Sequence, residues 1–199
     1  MRYGKFFPAG KRRSWAMAWL GALALFAAAS AHCAQVAGVR LDDRVSVGGK
    51  TLVLNGAGSR EKLLLRIYVV ALYVPRRTHN VRAALAATTR RIQMTMLMSV
   101  SSGEIIDALL DTMADNSTPA ELTAVKPATD QLVALIRPFS QVKKGDVITL
   151  DFVAGATNLG WNGKFQGRIS GAAFNRALTL IWLGNKPVQA DLKRKLLGR

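Results

Sequence analysis

Residues 62–74 read KLLLRIYVVALYV and stop at Pro75. On a strand, Leu64, Arg66, Tyr68, Val70 and Leu72 share one face, and Leu65, Ile67, Val69, Ala71 and Tyr73 share the other, because side chains alternate along an extended chain. Both faces are largely apolar. Such a strand belongs in the middle of a sheet, with helices or a second sheet covering it. The run holds no Gly or Pro, and its β-branched residues favour strand over helix.

On the N-terminal side, Val45–Val47 and Thr51–Leu54 flank Gly48-Gly49, which predicts a hairpin with a two-glycine turn. Asn55-Gly56-Ala57-Gly58 then reads as a turn feeding the central strand. On the C-terminal side, residues 80–88 predict a short helix capped by Asn80. Residues 90–99, RRIQMTMLMS, alternate: Ile92, Met94, Met96 and Met98 on one face, Arg91, Gln93, Thr95 and Leu97 on the other. Ser101 and Glu104 form a capping box before Ile106, Leu109, Leu110 and Met113, which recur at helical spacing. Thr118, Pro119 and Glu121 start another helix, expected to kink or break near Pro127. A strand at 146–153 and an Asn162-Gly163 hairpin turn follow. Helices at 171–183 and 189–197 close the chain, the first burying Phe174, Leu178 and Ile181, the second Leu192 and Leu196, with Gly198 as terminator. The fold class is α+β, an antiparallel sheet packed with helices.

The chain has 199 residues, 50% apolar and 20% charged, with one cysteine and a formal charge of +16. These values exclude disorder, collagen and a disulfide-stapled scaffold, and favour one domain. Residues 1–34 carry five basic side chains and no acid, then an apolar run from Trp15 to Ala29 and small residues. That is the pattern of a signal peptide cleaved within about residues 31–34, leaving a domain at 35–199 and a periplasmic or secreted protein. An uncleaved anchor is the rival reading. Cys33 lacks the neighbours of a lipidation site and reads as incidental. Loss of the five leader cations still leaves +11, a charge that favours anionic partners such as a lipid surface. The basic residues are dispersed, without interleaved aromatics, so no nucleic-acid interface is expected.

Catalytic motifs are scarce. His79 is the only histidine beyond the leader, no G-x-S-x-G is present, and one histidine without cysteine cannot assemble a zinc site. No cofactor is expected. Gly56–Glu61 starts like a dinucleotide loop but lacks the third glycine and precedes a strand. Asp107, Asp111 and Asp115 read as a solvated helical stripe. One constellation remains: Arg60, then Arg66 and Tyr68 on the central strand, beside a strand lined by Met94, Met96 and Met98. Guanidinium and phenol suit a carboxylate, and methionines form an adaptable apolar wall. Those residues would hold a small hydrophobic acid. On residues alone, the methionine stripe reads rather as ordinary core, with Arg60 tying the loop down.

The segments LNGAGSREKLLLRIYVVALYVP (54–75), KKGDVITLDF (143–152), WNGKFQGRISGAAFNRALTLIWLGNKPV (161–188) and DLKRKLLG (191–198) resemble the bacterial exported branch of the chalcone isomerase-like family. The resemblance spans about residues 36–198. It implies an open-faced β-sandwich, a large antiparallel sheet backed by helices, with a ligand cleft between the two. The family includes plant flavonoid isomerases and plastid fatty-acid-binding proteins. By that resemblance, the isomerase arginine falls at Arg60 and its strand threonine at Tyr68. The isomerase tyrosine meets Ile105 or Ile106, and a helix hydroxyl meets Ile181. The arginine that clamps the carboxylate in fatty-acid-binding relatives meets Met98. The replacements remove donors that a cyclisation needs, whereas binding tolerates their loss. The expected function is non-catalytic binding of a small hydrophobic acid such as a fatty acid, with Arg60 and Tyr68 at its head. The alternatives are a chalcone isomerase-type intramolecular lyase and a cationic envelope protein meeting anionic lipid or a protein partner.

Overall fold

A computed structural model describes residues 1, 3, 4 and 33–199 of the chain. The chain divides into Met1–Ser30 and Ala31–Arg199, and every element of secondary structure among the described residues belongs to the second unit. The leader and its cleavage zone lie outside the described residues. Among the described residues no helix is long and apolar enough to cross a membrane.

The strands are β1 (Cys33–Val36), β2 (Val39–Asp42), β3 (Arg44–Val47), β4 (Lys50–Lys62), β5 (Leu65–Val74), β6 (Thr89–Met96), β7 (Val100–Ser101), β8 (Gln141–Val142), β9 (Val147–Val153), β10 (Ala156–Trp161) and β11 (Lys164–Ser170). The helices are α1 (Val81–Ala86), α2 (Ser102–Asp115), α3 (Pro119–Ile136), α4 (Ala172–Leu183) and α5 (Ala190–Leu196). Seven strands form one antiparallel sheet in the order β11-β10-β9-β6-β5-β4-β3. The expected α+β architecture is present.

β5 sits inside that sheet and is buried on both faces. Val70, Leu72 and Val74 join the core shared with the helices, while Val69, Ala71 and Tyr73 join a second cluster with Leu41, Leu52 and Leu54. Ala34, Val36 and Val39 of the β1–β2 hairpin pack on this second cluster. The sequence pattern does not mark β1 and β2, each only four residues long.

The helix starts follow the capping chemistry. Asn80 accepts from Arg82 N and Ala83 N, at 2.8 and 3.3 Å. Ser101/Glu104 and Thr118/Glu121 both form complete capping boxes. α3 runs unbroken through Pro127. Val125, Leu132 and Ile136 bury one side of it in the core, so packing outweighs the one hydrogen bond that proline removes. Leu110, expected inside, is exposed on α2.

The Asn55–Gly58 segment is a correction. It is no turn: β4 continues through it with a register shift between Leu54 and Gly56, the signature of a bulge at Asn55. Buried Asn55 uses Nδ2 to donate to Leu196 O at 2.7 Å and Thr78 O at 3.0 Å, while Oδ1 accepts from Thr78 N at 2.7 Å. These bonds tie β4 to the end of α5. The glycines admit that helix. A Cβ on Gly56 would lie 2.0 Å from Lys195 O, and one on Gly58 2.8 Å from Leu192 Cδ1. The real turn between β4 and β5 is Leu63-Leu64, with φ of 50° and 68°.

Gly56→Ala therefore forces backbone against backbone, at a cost of about 1–3 kcal/mol or more. We expect a Tm fall of roughly 2–12 °C by calorimetry. Gly103→Ala, whose Cβ meets nothing nearer than 4.0 Å within α2, leaves Tm unchanged or slightly raised.

Candidate functional site

A cleft of about 540 Å³ opens between the sheet and the helices. Its sheet wall carries Tyr68, Met94, Met96, Ile148, Leu150 and Leu159; its helical wall carries Ile105 and Leu109 of α2, Leu132 and Ile136 of α3, and Ile181 and Trp182 of α4. The exposed lining residues mark the mouth: Lys62, Leu63 and Leu65 on the β4–β5 side, Glu104, Asp107 and Asp111 on the α2 side. At one end of the floor, Trp161 stacks on Phe139 with ring centroids 4.0 Å apart.

Sheet register places the polar groups. Arg60 of β4 pairs with Tyr68 of β5, and Tyr68 pairs with Met96 of β6. Three strands thus put a guanidinium, a phenol and a thioether side by side. Arg60 is half-buried and lines the cleft; its Nη1 donates to Glu61 O and, at 3.3 Å, to Gln189 Oε1. Gln189 Oε1 also accepts from Glu61 N at 2.9 Å, so the segment before α5 holds this corner. Among the described residues no carboxylate lies within ion-pair distance of Arg60.

Tyr68 OH accepts from Trp182 Nε1 at 3.2 Å. Its own hydrogen remains available to donate. Burial pushes the phenol above its ordinary range, opposed by the Trp182 hydrogen bond and the nearby Arg60 charge. The group stays protonated at physiological pH, a donor rather than a base.

The sequence-derived residues separate. Arg60, Tyr68, Met94, Met96 and Met98 all line the cleft. Arg66 does not: it is exposed outside and ion-paired with Glu61 at 3.1 Å. A register shift between Arg60 and Glu61 sets Arg66 opposite Glu61 at the hairpin end, so the alternation that put Arg66 and Tyr68 on one face fails there. Ile105 and Ile181 line the cleft, and Ile106 is buried in the core. Of the other hydroxyl residues on the lining, Thr112 donates to Ala108 O at 2.7 Å and Ser99 accepts from Lys144 N at 3.3 Å. Lys62 and Trp182 are lining residues that periodicity did not single out. Asp107 and Asp111, read as a solvated stripe, are exposed at the mouth. Among the described residues no three His, Cys, Asp or Glu side chains are grouped to hold a metal ion.

A family model described as chalcone isomerase-like matches residues 33–198. The chain belongs to the chalcone isomerase-like family. Among solved structures, the crystal structure of a fatty-acid binding protein of Arabidopsis thaliana matches with a TM-score of 0.66 at 12% identity, over 80% of this chain and 92% of that one. That likeness extends the shared fold to a relative of very different sequence. No match was found among curated proteins. In this member of the chalcone isomerase-like family, isoleucines occupy the cleft wall where the sequence resemblance implied isomerase hydroxyls.

The Tyr68 environment has a spectroscopic consequence. An absorbance titration of the tyrosine band should include the Tyr68 phenol ionising above the ordinary value of 10, so the late amplitude should fall in Tyr68→Phe. Between those two values the unfolded chain holds fewer protons than the native one, so this group lowers stability as pH rises past 10. A late amplitude undiminished by the substitution overturns the assignment.

Proposed function

We propose that the protein binds a small hydrophobic carboxylate, a fatty acid, in the cleft between sheet and helices and does not transform it. The observation that carries this reading is an apolar cleft with a lone guanidinium at its mouth and a protonated phenol on its wall. Its volume of about 540 Å³ lies within the roughly 300–1,000 Å³ of small-molecule sites. Likeness to the Arabidopsis fatty-acid binding protein and family membership support the same reading. The basic, then apolar, leader of residues 1–34 supports export and release of the domain after residues 31–34.

The tail supplies most of the affinity. Each buried methylene contributes about 0.8 kcal/mol, so ten contribute about 8 kcal/mol. A hydrogen-bonded contact to a half-buried arginine contributes only about 1 kcal/mol, between an exposed pair and a buried charged bond. Arg60 and Tyr68 thus orient the head while the methionine and leucine walls retain the tail. Isomerisation of a chalcone needs donors aimed at a developing negative charge. The walls here offer Ile105 and Ile181, which have none, so the cleft is suited to binding.

Calorimetric titration with saturated fatty acids should give affinity rising about fourfold per methylene until the cleft is full. Arg60→Ala should weaken the acid about fivefold and leave the matching alcohol unchanged. Native mass spectrometry of protein purified from cells should reveal a co-purifying acid. Absence of binding by every chain length overturns the proposal. Chalcone absorbance decaying faster than in buffer assigns the cleft to isomerisation instead.

A further inference from the structure

Among the described residues, five two-residue turns join neighbouring strands: Ala37-Gly38, Gly48-Gly49, Leu63-Leu64, Ala154-Gly155 and Asn162-Gly163. All ten residues have positive φ. Four of the turns place glycine second, as this left-handed conformation favours. The β4–β5 turn alone uses two leucines, with relative exposures of 88% for Leu63 and 101% for Leu64; Leu65 beside them is 58% exposed. Solvent-facing leucines in a backbone suited to Asn-Gly do nothing for the fold.

Their setting gives them a use. Leu63 and Leu65 also line the cleft mouth, so the apolar tip is continuous with the ligand's path. Exposed Lys62 flanks the tip on one side, and on the other Arg66 is ion-paired with Glu61. The same end of the sheet carries Lys143 and Lys144, placed there because Gly145 N donates to Met96 O and Met96 pairs with Tyr68. Lys164 starts β11 at that end, opposite Trp161, which pairs with Ile148. Of the acids of this end, Glu61 is paired with Arg66, while Glu104, in the α2 capping box, and Asp146, accepting from Lys143 N and Asn162 Nδ2, each at 2.8 Å, stay anionic and offset two of the four lysines Lys62, Lys143, Lys144 and Lys164. Asp107 and Asp111 stand on the α2 side of the mouth, so the tip, not the helix, is the part suited to an anionic surface.

We propose that the Leu63-Leu64-Leu65 tip docks on an anionic phospholipid bilayer and passes the fatty acid between bilayer and cleft. The inference rests on the fatty-acid reading and adds the surface from which the ligand comes. Leucines enter lipid without needing a shaped partner, while the flanking cations meet headgroups and raise binding about fivefold each. A second copy of the chain is a poor occupant, since it would bring the same cations against them.

The test follows an anthroyloxy-labelled stearate from the protein, as it accumulates in cells, into phosphatidylcholine vesicles with or without phosphatidylglycerol. Variants share the wild-type N-terminus, so any leader contribution cancels. The transfer rate should rise in proportion to vesicle concentration and increase with phosphatidylglycerol. Leu63→Asn combined with Leu64→Gly should slow transfer tenfold or more, with Tm kept or raised; Leu64→Gly alone, which leaves the cleft lining untouched, should slow transfer with solution affinity for the probe unchanged. Lys143→Gln with Lys144→Gln should remove most of the phosphatidylglycerol effect. A rate independent of vesicle concentration and of the tip overturns the docking proposal while leaving fatty-acid binding intact. So does a tip variant that changes only oligomeric state in size-exclusion chromatography. If the wild type takes up no probe in solution, the fatty-acid reading fails; flotation with phosphatidylglycerol vesicles, lost in the Asn-Gly variant, then supports the docking alone, and no flotation overturns it as well.

Discussion

β5 carries apolar side chains on both faces, and an isolated sheet can bury only one. The helices cover Val70, Leu72 and Val74, and the β1–β2 hairpin with its neighbours covers Val69, Ala71 and Tyr73. Every placement that matters at the cleft is referred to this strand. Its register sets Arg60 on one side of Tyr68 and Met96 on the other. Its far side is anchored by Asn55 and two glycines, which draw α5 against β4. Gln189, immediately before α5, in turn contacts Arg60. A packing requirement at the centre of the sheet thereby fixes the position of a charge at its edge.

The helical layer is also held by a cation that the sequence reading placed among dispersed surface charges. Arg90 is buried, its guanidinium 4.2 Å from the Phe152 ring centroid. It donates to Ala87 O at 2.9 Å, Asn175 O at 3.1 Å and Thr179 Oγ1 at 2.8 Å. Burial pulls its pKa downward, and carbonyls at the end of α1, where the helix dipole is negative, compensate without a carboxylate. The bonds join α1, β6 and α4. They keep α4 and its Trp182 over the cleft, where the indole sets the orientation of Tyr68.

Much of the architecture was legible in local chemistry. Asn80, Ser101/Glu104 and Thr118/Glu121 satisfy helix-terminal donors within three residues, so their signals need no tertiary partner. Gly48-Gly49 and Asn162-Gly163 mark turns for a similarly local reason. Gly56 and Gly58 mislead because a glycine that bends the chain and one that admits a neighbouring helix look alike in sequence. The distinguishing atoms, in Leu192 and Lys195, are more than 130 residues away. Leu63-Leu64 escapes notice because nothing in two leucines announces a left-handed turn.

The same division runs through the cleft. Residue order alone determined the sheet with its helical cover and the alternation that aims Met94 and Met96 inward. Each follows from short-range sterics and a period of two. Tertiary structure alone decided that space remains between the layers, that Arg66 turns outward to Glu61, and that Trp182 orients the phenol. Those outcomes depend on how closely distant segments approach, a distance set by bulges and by side-chain volumes that no local pattern records.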